Sequence, residues 1–436
     1  MNKPSALISI PILIALIPHG FVQGANLNEF KESNCLVINS PGTYAISEIG
    51  CLVIKSSDVV LDGQSILLEG NNENYAIYAE NVENITVRNF RLHGWKSGIV
   101  LQNVRDVRIE NVESKNNKEA GILLVAVSSA TVVDAKLEKN FAGVVVTDSI
   151  ENYNSYLNAD VFENIESYSE DIHVINSVSN NNSVDGFFFV GCSGVYVERC
   201  EANNNAGGIY LFYSSNIHIY NSTANSNEYC GILPDHCGSG EIINNTAKYN
   251  AGGIRMDYST NITVERNTLE GNGADGILLK DSSNNNTVRY NNAINNEHGI
   301  RIMRSNNNCI YLNNLINNVI NAESDGDSNQ WHSHEKITYS YLGNSFSNYL
   351  GNYYSDYKGS DENSDGIGDS PYAINSEVDE YPLIQPFENY ESCEITKEQI
   401  RQQIISLIFQ YLNAGEEERQ QIRQQIIQLI FEYVSA

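Results

Sequence analysis

Nine glycines, each followed by an apolar residue, punctuate the middle of the chain: Gly98, Gly121, Gly143, Gly186, Gly208, Gly231, Gly253, Gly276 and Gly299. The gaps are 22 or 23 residues, except one of 43, which is one short of two 22-residue steps. A fixed period of this length specifies a solenoid. Each repeat reads like Gly208-Ile-Tyr-Leu-Phe-Tyr-Ser-Ser-Asn-Ile-His-Ile-Tyr-Asn221, with apolar residues alternating with polar or aromatic ones. That is the period of strands with one buried face. No repeat window carries a helical period, and the Leu-x-x-Leu-x-Leu pattern is absent. The expected fold is an all-β solenoid, a right-handed parallel β-helix of about a dozen coils over residues 51–345. Coils paired at roughly 4.8 Å make a rod roughly 55–65 Å long.

The repeat glycine is read as a positive-φ turn before the first strand of each coil. Positions one and three after it point inward, which places Ile99, Ile209, Ile254, Ile277 and Ile300 in one interior column. A second column, Asn111, Asn221, Asn244, Asn267, Asn291 and Asn313, is expected to form a stacked amide ladder at one turn. The landmark missing from the long gap is expected near Asn164-Ile165.

The flanks differ from the repeats. Residues 1–24 combine Lys3, an apolar run from Ala6 to Ile17 and Val22-Gln-Gly24, the layout of a secretory signal peptide. No other run approaches transmembrane length. Residues 25–50 read as an N-terminal cap, and Cys35 within it and Cys51 at its boundary are the best disulfide pair. The net charge of −28 argues against nucleic acid and anionic membranes as partners. Six Asn-x-Ser/Thr sequons arise readily in so asparagine-rich a repeat. Residues 391–436 repeat Ile400-Arg-Gln-Gln-Ile-Ile as Ile422-Arg-Gln-Gln-Ile-Ile, with helical apolar stripes broken at Asn413-Ala-Gly415. This two-helix hairpin either covers an end of the solenoid or, through residues 396–436, joins copies of the chain.

Outward positions two and four after the glycine are where chemistry can stack. In the early coils they are apolar, so something covers them, the terminal helices being one option. In the later coils Tyr210, Phe212 and Tyr213 stand as an aromatic platform beside Asp235, His236, Arg255, Asp257, Lys280 and Arg301. Apolar stacking with adjacent hydrogen-bonding groups suits a sugar ring. Asp235 and Asp257, one coil apart, have three readings: an acid and base pair for glycan cleavage, a cation site, or solvated ion pairs with Arg255 and Lys280. Asp235, His236, Asp257, Arg255 and Lys280 are the candidate catalytic set; Tyr210, Phe212, Tyr213 and Arg301 are the candidate substrate contacts.

Residues 346–390 form an acidic closing module containing Asp361-Glu-Asn-Ser-Asp-Gly-Ile-Gly-Asp369. Asp361, Asn363, Asp365, the Ile367 carbonyl and Asp369 occupy calcium-loop positions, with Gly366 at the sharp turn and Tyr372 where a bidentate Glu belongs. A distant acid such as Asp379 or Glu380 would have to complete the shell. The coils with this ending resemble the NosD-like and CASH-type β-helix proteins, particularly archaeal surface proteins of methanogen type, over about residues 27–390. The resemblance implies an exported β-helix. It does not fix a reaction, because the fold hosts lyases, hydrolases, epimerases and non-catalytic surface modules. Pro234-Asp-His236 also resembles the catalytic strand of alginate-epimerase-like β-helices, in changed order. The copper implied by the NosD name finds little support: Met256 and Met303 sit within coils, and His173 and His218 are two coils apart. The expectation is a secreted or cell-surface β-helix that binds, and in one version processes, a surface or matrix polysaccharide. The alternative is a non-catalytic envelope protein assembled through its C-terminal helices.

Overall fold

The computed structural model describes residues 35–47, 50–158, 165 and 169–392, together with 404, 407, 410, 411, 419, 422–427 and 429. Strands stack in parallel, coil upon coil, into a solenoid. The first sheet has thirteen strands, from Leu36–Ile38 to Ile320–Ser324; the second has fourteen and the third, over the later coils, five. Neighbouring first-sheet strands pair Ile99 with Ile122, Ile254 with Ile277 and Ile277 with Ile300. The expected interior column Ile99, Ile209, Ile254, Ile277 and Ile300 is therefore sealed, each residue at most 1 % exposed. Cys35 and Cys51 form the expected disulfide.

Three expectations need correction. None of the nine repeat glycines has positive φ. Their requirement is steric: a Cβ on Gly208 would lie 2.2 Å from the Gly231 carbonyl oxygen, and one on Gly253 2.5 Å from that of Gly276. The corners are instead turned by single residues at positive φ, including Asn111, Asn221, Tyr213, His236 and Tyr258.

The long gap does not hide a second coil. Ala142–Thr147 pairs directly with Asp185–Val190, which leaves no place between them in the first sheet for the strand expected near Asn164-Ile165, of which Asn164 lies outside the described residues. The extra residues include a helix, α1 (Ile150–Asn158). Ser149 caps it, its Oγ accepting the Asn152 N–H at 3.2 Å. Tyr153, Tyr156 and Leu157 of α1 bury the apolar outer column of Val100, Leu123, Val145 and Phe188. Tyr156 stacks on Phe188 with centroids 4.1 Å apart, and its hydroxyl donates to buried Asp185 at 3.0 Å. The cover over the early coils thus comes from a helix inserted between two coils. The expected hairpin over 391–436 lies mostly outside the described residues; Glu391–Ser392 form a short strand, and the others described there, 422–427 among them, are helical.

The single amide column resolves into two. Asn111, Asn221 and Asn244 occupy exposed positive-φ corners, whereas Asn267, Asn291 and Asn313 sit one residue further along the coil and are buried. In the buried ladder each Oδ1 accepts the backbone N–H of the asparagine one coil earlier: Asn245 to Asn267 at 2.8 Å, Asn267 to Asn291 at 2.9 Å. Two more buried ladders run beside it, one including Asn250, Asn272, Asn296 and Asn318, the other Asn286, Asn308 and Asn329. All three aim their donors toward the C-terminal end, where a final donor must find an acceptor. The closing module supplies a carboxylate to each. Asn352 N donates to Asp379 at 2.8 Å and Asn329 N to Glu377 at 2.8 Å. Asn318 donates to Asn321, whose Nδ2 reaches Asp356 at 2.6 Å. Asp379 is completely buried in this role. It is a ladder cap and is not available to complete a shell around the 361–369 loop.

Candidate functional site

Strand register builds the candidate site on the outer face of the first sheet. Phe212 pairs with Asp235, Asp235 with Asp257, and Asp257 with Lys280, so these side chains form one column. A parallel column brings together Arg255, Leu278 and Arg301. The two carboxylates are in different states. Asp257 is buried and held by Arg255, whose Nε donates to Oδ1 at 2.9 Å and whose Nη2 donates to Oδ2; Lys280 Nζ is 4.0 Å away. Lys280 lies closer to Asp281, at 3.0 Å. Asp235 has no such fork. Burial raises its carboxyl above the ordinary range, the His236 hydrogen bond opposes the rise, and the neighbouring Asp257 charge adds to it. His236 Nδ1 lies 2.5 Å from Asp235 Oδ1.

The aromatic platform is not where the sequence placed it. Phe212 is buried in the neighbouring column, pairing with Val190, its ring 5.4 Å from Phe188 of the α1-covered column. Tyr210 is half-buried, its hydroxyl accepting the Cys230 N–H at 3.0 Å. Of the three expected platform rings only Tyr213 is exposed, at 38 %. It stacks on His236 at 4.5 Å, which stacks on Tyr258 at 4.4 Å. Stacked rings cover each other's faces, so a ligand meets their edges and the terminal face. Gly191, one coil before Tyr213 in this corner column, places no side chain over that ring. Arg301 faces Glu323, with Nε 2.8 Å from Oε2.

Position five after the glycine holds the corner stack of Tyr213, His236 and Tyr258, of which the first two were among the expected site residues and Tyr258 was missed; a further column was missed entirely. The residue before the glycine holds Asp185, Cys230, Asp275 and His298. Both signals were present in the repeat alignment.

In the 361–369 loop the side chains close on the loop's own backbone. Asp361 accepts the N–H groups of Asp365 at 3.1 Å and Gly366 at 2.9 Å, Asp365 that of Ile367 at 2.9 Å, and Asp369 that of Glu362 at 2.8 Å. Asn363 Oδ1 also accepts the Asp365 N–H, at 3.0 Å. Gly366 has φ +88°, as the sharp turn requires.

A family profile described as "Periplasmic copper-binding protein (NosD)" matches residues 155–359, and one described as "Right handed beta helix region" matches residues 22–169. No curated protein matches the chain. Among solved structures, a double mutant of the periplasmic alginate epimerase AlgG is similar at 13 % identity, covering 67 % of this chain and 77 % of that one, with a TM-score of 0.53. A single mutant of the same protein has the same identity and coverage and a TM-score of 0.52. The catalytic domain of a GH87 α-1,3-glucanase in complex with tetrasaccharides follows at 13 % identity, 67 % and 60 % coverage and a TM-score of 0.47. At such identity the likeness is one of fold.

The donor set of the described residues does not fit the copper of the family description. Met256 is sealed inside a coil, and Tyr196 is stacked between His173 and His218. Cys200 and Cys237 point at backbone carbonyls, and burial pushes their thiols up to about 12. Among the described residues no three His, Cys, Asp or Glu side chains converge as a metal set. What the two matches and the stacked parallel coils jointly establish is architectural: the chain is a NosD-like right-handed β-helix protein.

Proposed function

We propose that this is an exported β-helix protein that binds polysaccharide across the outer face of its first sheet and acts on it through Asp235. The observation that carries this reading is the pairing of two adjacent carboxylates, one locked by Arg255 and one not, beside the exposed Tyr213 ring. Asp257, held by its guanidinium fork, is a fixed charge. Asp235, whose carboxyl burial moves toward the protonated form, is the group suited to carry a proton, with His236 as its partner. The epimerase named above, of similar fold, lends support to a glycan as ligand. No described helix is long and apolar enough to cross a membrane.

The test is incubation with neutral and uronic-acid polysaccharides, reading both retention and new chain ends or altered sugar units. Asp235→Asn should lower turnover by roughly 100-fold or more while retention persists. Tyr213→Ala should weaken retention about three- to tenfold. Retention without turnover in the wild type leaves a binding module; no retention of any polysaccharide rejects the reading and favours an envelope component assembled through residues 396–436.

Calcium at the 361–369 loop belongs to the same reading as a structural ligand. Adding calcium to chelated protein should raise Tm, because a ligand of the native state must stabilise it. An unchanged Tm removes calcium from the proposal.

A further inference from the structure

Polar groups inside this solenoid are largely satisfied, because the amide ladders pair donors and acceptors coil by coil. Among the described residues seven buried side-chain atoms have no hydrogen-bond partner, and four of them fall in one patch: Asp275 Oδ1, His298 Nδ1, Arg301 Nε and Glu323 Oε2. Strand register creates the patch, pairing Asp275 with His298 and Arg301 with Glu323. The groups are within ionic reach: His298 lies 3.3 Å from Asp275 and 3.2 Å from Glu323, and Arg301 lies 2.8 Å from Glu323. Their approach lacks hydrogen-bond direction, so the contacts are Coulombic and leave donors and acceptors unanswered. Asp275 and His298 are each only 8 % exposed. The side chains of Arg301 and Glu323, 30 % and 29 % exposed, are the outer pair through which a ligand reaches the patch.

The patch lies on the same outer face as Asp235 and Asp257, with Arg301 two coils beyond Arg255 in one column. Building on the polysaccharide reading above, we infer that Asp275, His298, Arg301 and Glu323 form a second subsite for a neutral, hydroxyl-rich sugar unit of the same bound chain. A hydroxyl both donates and accepts. Neighbouring hydroxyls can therefore answer two carboxylate acceptors and a guanidinium donor together, with the imidazole nitrogen taking either role. Two carboxylates against one guanidinium leave the patch net negative, which disfavours a uronate. Four coil steps separate Asp235 from the Glu323 coil, roughly 19 Å, so the subsite serves a unit several sugars along.

The experiment titrates the full chain with linear neutral gluco-oligosaccharides from dimer to octamer and with matched oligouronates. Wild type, His298→Gln, Glu323→Gln and Tyr213→Ala are compared, with melting curves for each. Neutral oligosaccharides should gain affinity with length until they span both sites. His298→Gln and Glu323→Gln should each lose about tenfold for long oligosaccharides, bind short ones as wild type does, and melt as wild type does. Three results overturn the subsite: long oligosaccharides bound equally by these variants, a preference for oligouronates, or a clear fall in Tm, which marks a structural ion cluster. Length-independent binding that Tyr213→Ala still weakens rejects the subsite alone. Absence of binding by every oligosaccharide rejects the polysaccharide reading beneath it.

Discussion

Asp379→Ala should destabilise the C-terminal coils by about 3–5 kcal/mol, because it strips a fully buried cap from the backbone and side-chain donors of three residues at once. Asp379 Oδ2 accepts the Asn352 N–H at 2.8 Å and the Tyr354 hydroxyl at 3.0 Å, and Oδ1 accepts the Tyr381 N–H at 2.9 Å. Even Asp379→Asn should be costly, since both oxygens accept and an amide would turn a donor toward a donor. A solenoid is held together mainly by neighbouring coils, so the loss should be local. Hydrogen exchange should speed up first over residues 309–383 and leave the strands around Ile99 protected. Uniform loss of protection along the rod would show that the ladder ends do not set the stability of the last coils.

Stability should fall as pH rises from about 4 to about 7, and part of that fall should vanish in Asp185→Asn. Burial raises the Asp185 carboxyl to about 7, with the Tyr156 hydroxyl opposing the rise. In the unfolded chain the same group loses its proton near 4. Between these values the folded state holds more protons than the unfolded one, so each rise in pH favours unfolding; below 4 and above 7 the slope from this group is zero. Three pH units correspond to at most about 4 kcal/mol. Because Asp185 meets α1 through Tyr156, exchange in residues 150–158 should report the change most directly. A pH slope identical in wild type and Asp185→Asn between 4 and 7 would sink this assignment.

The interior column was legible in the repeat because a period of 22 or 23 residues and an alternation of 2 leave only one register that buries Ile99, Ile209 and Ile254 together. Asp235, Asp257 and Lys280 followed from the same register, since equal positions in successive repeats must become neighbours. Repeat arithmetic failed where the repeat was broken. It could not distinguish a missing coil from an inserted helix, because 43 residues suit either, and only the direct pairing of Val144 with Phe187 decided between them. It assigned positive φ to the repeat glycines, whereas the approach of the next coil's carbonyl, a contact between residues 22 or 23 apart, is what excludes a Cβ. It placed Phe212 on the surface because exposure depends on what packs beside a strand position, and Phe212 packs against Phe188, on which Tyr156 of α1 stacks in turn. Periodicity, being local and repeated, determines which residues stack; burial, charge pairing and the caps at the solenoid's end depend on segments outside the repeat, and only the folded chain brings those into contact.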